Sequence, residues 1–161
     1  MEPTKENSLY LTIKQVYFDQ IIAGTKTCEY REISFNTYKK YVESDKEGWP
    51  LFNTDVISEK EADKYDPQDF LNIYNNGSCP LVPKQSIKYL NLAVGYNKVR
   101  DTATVEVKDI TFEVMKGRNG KEARFEIDKN GNLCPCDTGK LCIWQAVFHL
   151  GAVVTKNIIS K

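Results

Sequence analysis

Apolar and polar positions along the chain change period several times, and each change marks an element. Leu9 to Lys14 is a short β-prone stretch. Over Gln15 to Ala23, Phe18, Ile21 and Ile22 fall at the i, i+3, i+4 spacing of one helix face. Gly24 follows directly. Glycine tolerates the left-handed conformation in which the last helical carbonyls find partners, so the helix is predicted to end there. A strand is then predicted from Thr27 to Ile33. Its alternation puts Cys28 and Tyr30 on one side and Thr27, Glu29 and Arg31 on the other, while Lys26, in the turn, can lean toward either.

Further along, Ser86 to Tyr96 and Ala103 to Val114 are rich in β-branched and aromatic residues and read as neighbouring strands. Between them Tyr96, Asn97, Lys98 and Arg100 make a basic turn. Lys116 to Lys121, with Gly117, Asn119 and Gly120, is a second turn. The Asn130, Gly131 pair after Phe125 to Ile127 is a strong hairpin signal, because both residue types tolerate positive φ. Near the end, Trp144, Ala146, Phe148 and Leu150 share one strand face, with Gln145, Val147 and His149 on the other.

The middle, about residues 35–84, follows a different pattern and reads as an insertion. Ser58 with Glu61 three residues later makes a capping box for a short helix ending near Lys64. Asp66 as cap, Pro67 in the first turn and Gly77 after Asn76 frame a second helix carrying Phe70, Leu71, Ile73 and Tyr74. Tyr38, Tyr41, Trp49 and Phe52 precede them. Aromatics in an insertion can anchor it to the core, or they can stack bases beside a basic cleft; Trp49 is the candidate for stacking.

Composition narrows the function classes. The chain has 161 residues, enough for one domain with a buried core, and its 22 Lys plus Arg equal its 22 Asp plus Glu. Affinity for a nucleic-acid backbone grows with the number of phosphates neutralised, so a neutral chain is poorly built for tight non-specific binding to long duplexes. Any nucleic-acid role is expected to be local, at a pocket for a nucleotide or a loop. Met1 to Ser8 is polar and no apolar run approaches the roughly 18 residues a membrane span needs, so the expected location is cytoplasmic, with no membrane partner. Five cysteines, an odd number, suit reduced thiols better than a disulfide framework. Cys134, Cys136 and Cys142, with His149 beyond, are spaced CxC, five residues, then a lone cysteine. Structural zinc sites pair their cysteines across two to four residues, so free thiols around Pro135, Asp137 and Gly139 are expected instead, with no metal and no cofactor.

The charged residues after the first helix make the sharpest signal. Gly24, Lys26, Glu29 and Arg31 form the pattern GxKxxExR, which bundles two cations and a carboxylate around a turn and the strand after it. As a surface salt bridge such a group would contribute roughly 0 to 1 kcal/mol and mean nothing for function. The segment from Leu9 to Arg31, however, resembles the opening of an ASCH domain, a branch of the PUA-like superfamily marked by that motif. Leu92 to Tyr96 with Thr102 to Ile110, and the closing Val147 to Val154, resemble later strands of the same fold.

The resemblance implies a single α+β, mainly β domain over residues 1–161. It would be a small PUA-like β-barrel with flanking helices, with the helical insertion at about 35–84. It also implies a cleft at the motif that binds RNA or a nucleotide. There Lys26 and Arg31 would meet phosphate or a base edge, and Glu29 would orient them or accept from an exocyclic amine; arginine's planar fork suits paired hydrogen bonds. Tyr96, Lys98 and Arg100 resemble a segment near the cleft of family members. Some members of that family are enzymes: a small bacterial ASCH protein hydrolyses acetylcytidine with a lysine and a threonine of its GxKxxTxR segment. Here Glu29 stands at the threonine's place, so the expectation leans to a binder rather than an enzyme. The alternative is an amidohydrolase on a modified nucleoside, with Glu29 as general base and Lys26 or Arg31 stabilising an oxyanion. A third reading is a protein-interaction module working through the insertion.

Overall fold

The computed structural model describes residues 1–64 and 77–159. In chain order the elements are β1 (Ser8–Ile13), α1 (Gln15–Ala23), β2 (Cys28–Glu32), α2 (Tyr38–Tyr41), α3 (Glu59–Ala62), β3 (Tyr89–Val94), β4 (Thr102–Val114), β5 (Arg124–Ile127), β6 (Leu133–Pro135), β7 (Leu141–Cys142) and β8 (Trp144–Asn157). The protein is mainly β, and among the described residues its strands fall into two sheets, ordered β1-β3-β4-β8-β2 and β6-β5-β7. A barrel requires the two edge strands of a sheet to pair with each other. Here β1 and β2 stand at opposite ends of the strand order, and the sheets are not closed into a barrel.

Local chemistry accounts for the first elements. Phe18 and Ile21 put the apolar stripe of α1 inside, and Gly24, at φ 79°, ends the helix as its left-handed cap. The amides of Thr25 and Lys26 both donate to the Gln20 carbonyl, at 3.0 and 3.1 Å, satisfying a helix end that would otherwise be orphaned. In α3 the Ser58 hydroxyl accepts from the Glu61 amide at 3.2 Å, as the capping box predicts. The helix expected after Asp66 lies outside the described residues. At the Asn130, Gly131 turn, Gly131 adopts φ 82°, and β5 and β6 pair antiparallel from Ile127↔Leu133 to Phe125↔Pro135.

The chain divides into two compact units. The first is Met1–Glu29, Gln85–Ile110 and Phe148–Lys161; the second is Tyr30–Lys84 and Thr111–Val147. In the first unit β1 runs parallel to β3, from Ser8↔Tyr89 to Ile13↔Val94, and β3 runs antiparallel to β4. Leu11, Ile13, Phe18, Leu90, Leu92, Val105 and Phe148 are buried there. So is Asp101, at 2% exposure. Its carboxylate accepts from Gln15 Nε2 at 2.9 Å and from the Ile159 amide at 2.8 Å, which ties the start of α1, the β3–β4 turn and the tail together.

In the second unit Tyr38 and Tyr41 are buried, and the Tyr38 hydroxyl donates to the Gly48 carbonyl at 2.8 Å. The Tyr38 bond and the bridge of Phe52 to Leu81 both close the 35–84 segment on itself. Gly139 is buried against the Phe125 backbone so closely that a Cβ would overlap it. Trp144 is fully buried, and its carbonyl accepts from the Ile33 amide at 2.8 Å.

Candidate functional site

The turn that closes α1 sets the position of Lys26. Two residues of non-helical chain follow Gly24, and the Leu150 amide then donates to the Thr27 carbonyl at 2.9 Å, starting β2 beside β8. Alternation along β2 decides the rest. Tyr30 is 47% exposed while Glu29 is 6% exposed, so the strand turns its carboxylate inward and an aromatic ring outward. Lys26 Nζ lies 3.9 Å from Glu29 Oε1 and 5.3 Å from the centroid of the Tyr17 ring. The ammonium thus meets an anion and the negative face of an aromatic ring together. Arg31, two residues beyond Glu29 on β2, is half-buried and belongs to the second unit.

The basic turn takes its own place within the first unit. The Arg100 guanidinium donates to the Gly95 carbonyl at 2.6 Å, and the neighbouring Asp101 holds Gln15 at the start of α1. Lys26 follows the other end of that helix. A nine-residue helix is roughly 13 Å long, so α1 separates the Arg100 turn from the motif turn. Tyr96 at the tip is 89% exposed, and Lys98 is exposed as well. Trp49, in the second unit, is 49% exposed, and its amide donates to Asp45 Oδ1 at 3.0 Å.

The cysteines are engaged separately. Cys134 donates to Asp128 Oδ2 at 3.3 Å; Cys136 faces the Thr138 hydroxyl at 3.5 Å; Cys142 is fully buried in β7. The hydrogen bond from the Asn132 amide holds the Asp128 carboxyl below its ordinary range, and that carboxylate in turn pushes the Cys134 thiol up. Among the described residues no three His, Cys, Asp or Glu side chains come together as a metal set. No helix among them is long and apolar enough to cross a membrane.

Two clefts lie at positions that periodicity does not mark. One, of about 660 Å³, is in the second unit and is lined by Lys116, Lys121, Glu122, Arg124 and Asp137 with the Asn119–Gly120 turn. The other, of about 280 Å³, lies in the first unit beside Tyr10, Asn91, Thr104 and Lys156. The Lys116–Lys121 turn was legible, but a cleft depends on strands brought beside it by the fold. No family model matches the chain, and no match is found among curated proteins or among solved structures.

Proposed function

We propose that the chain is an ASCH-like domain of the PUA-like kind that binds RNA or a nucleotide at Lys26 and Glu29. The observation that carries this reading is the burial of Glu29 at 6% exposure with Lys26 at 3.9 Å. Withdrawing a carboxylate from water costs several kcal/mol, and the ion pair to Lys26, at 3.9 Å, is longer than a hydrogen bond and returns only a part of that as stability. A preorganised cation and acceptor beside an aromatic face do match a nucleotide, whose phosphate is anionic and whose base offers exocyclic donors. Tyr17, 43% exposed beneath the ammonium, adds a stacking surface. Arg31 enters this reading through the GxKxxExR spacing.

Equilibrium dialysis of the protein against a panel of nucleosides, nucleoside monophosphates and short single-stranded RNAs tests the proposal. Saturable binding of at least one member is expected. Lys26→Ala is expected to weaken it at least tenfold, about 1.4 kcal/mol. Absence of binding across the panel overturns the reading. Acetylcytidine belongs in the same panel, because release of cytidine would replace the binder with the amide hydrolase.

The interaction-module reading has an observation of its own. Phe35, Trp49 and Leu51 of the 35–84 segment are 51%, 49% and 39% exposed. Loss of a partner on Trp49→Ala, with nucleotide binding absent, would favour it.

A further inference from the structure

The only histidine of the chain, His149, lies on a thiol. Its Nδ1 is 3.6 Å from Cys28 Sγ, within hydrogen-bonding reach for sulfur, and both side chains are half-buried rather than sealed. The fold makes this contact by strand register. β8 and β2 are neighbours in the sheet, and the bond from the Leu150 amide to the Thr27 carbonyl brings the next pair of residues, His149 and Cys28, side by side. Both residues belong to the first unit.

We propose that Cys28 and His149 form a nucleophilic thiol–imidazole pair, a covalent modification site for soft carbon electrophiles. The nucleophile must lose its proton as it attacks, and an imidazole at hydrogen-bonding distance is placed to take it. In the step itself the Sγ–C bond forms as the electrophile's leaving group departs with its bonding pair. For iodoacetamide that group is iodide. The thiol proton goes to Nδ1 and from there to solvent, which places the ring in the tautomer whose Nε2 carries the hydrogen beforehand.

The other four thiols lack this arrangement. Cys142 is fully buried, and burial pushes its thiol up to about 12. Burial likewise pushes Cys79 up, and the Asp128 carboxylate does so for Cys134. Cys136 faces a hydroxyl, which is no base at neutral pH. Cys28 is therefore singled out by its partner and not by exposure alone.

The site is tested by timed alkylation of the full-length protein with iodoacetamide at pH 7, with each cysteine followed by peptide mass spectrometry. The reference is an unstructured peptide spanning residues 24–33, which carries the same Lys26, Glu29 and Arg31 around the same thiol. Mere accessibility cannot make a folded thiol react faster than this peptide. Cys28 is expected to react first of the five and about threefold faster than the peptide, since the imidazole beside it takes the thiol proton as the Sγ–C bond forms. His149→Asn is expected to bring Cys28 to the peptide's rate or below while the Cys136 rate stays unchanged. A wild-type rate at or below the peptide's, or another cysteine reacting first, overturns the proposal without recourse to any variant. An unchanged Cys28 rate in a folded His149→Asn protein overturns it as well.

Discussion

Two ion pairs of nearly equal length, one in each unit, differ in nearly everything else. Lys26 and Glu29 approach to 3.9 Å with side-chain exposures of 18% and 8%; Arg124 and Glu122 approach to 3.8 Å with both at 37%. The first pair sits where a helix cap and an edge of regular sheet hold both backbones, so its carboxylate stays buried whether or not water would be preferred. The second rides on the rim of a turn and β5, with more than a third of each side chain open to solvent. Distance alone therefore says little. What separates a functional candidate from a solvated contact is the frame that withholds water from one of the charges.

The first way to break the comparison is through the frame itself. Asp101→Ala removes a buried acceptor that serves both Gln15 and the Ile159 amide, leaving donors without their partner. We expect a loss of about 2–4 kcal/mol in urea unfolding, the largest effect of the set. Next comes Lys26→Ala, which removes the ammonium 3.9 Å from the buried Glu29 carboxylate and is expected to cost about 2 kcal/mol. Glu122→Gln is expected to shift stability by less than about 0.5 kcal/mol, with the small effect vanishing in high salt. Double-mutant cycles sharpen the contrast: coupling for Lys26 with Glu29 should exceed that for Arg124 with Glu122 at every salt concentration.

The second unit supplies a titration of its own. Burial raises the Cys142 thiol to about 12, above its ordinary value of 9.0. A raised folded-state value means that the unfolded chain releases this proton first as pH rises. The associated stability is complete below about pH 9 and is lost as pH climbs toward 12. Cys142→Ala should lower stability at pH 7 and flatten that alkaline fall relative to wild type, as followed by chemical unfolding at matched pH values.

These contrasts also mark what the residues disclosed before any coordinates. Helix α1, its Gly24 cap, the following strand and the Ser58 box rest on chemistry within a few positions, and all are found where that chemistry places them. The hairpin at Asn130, Gly131 is equally local. Alternation assigned Glu29 and Arg31 to one face of β2, but it does not say which face turns inward, because that depends on strands far away in sequence. For the same reason nothing near Asp101 announced that Gln15 and Ile159 would converge on it. Gly139 lacked a visible need for glycine until Phe125 was brought against it. The two-residue strand β7 is too short to carry a period.

The most direct test of the central claim follows backbone amides of the isotope-labelled protein by NMR during titration with cytidine 5′-monophosphate and with a short single-stranded RNA. The account predicts saturable shifts centred on residues 24–29 and on Tyr17, absent in Lys26→Ala. Shifts centred instead on Lys116 to Arg124, or none at all, would contradict it.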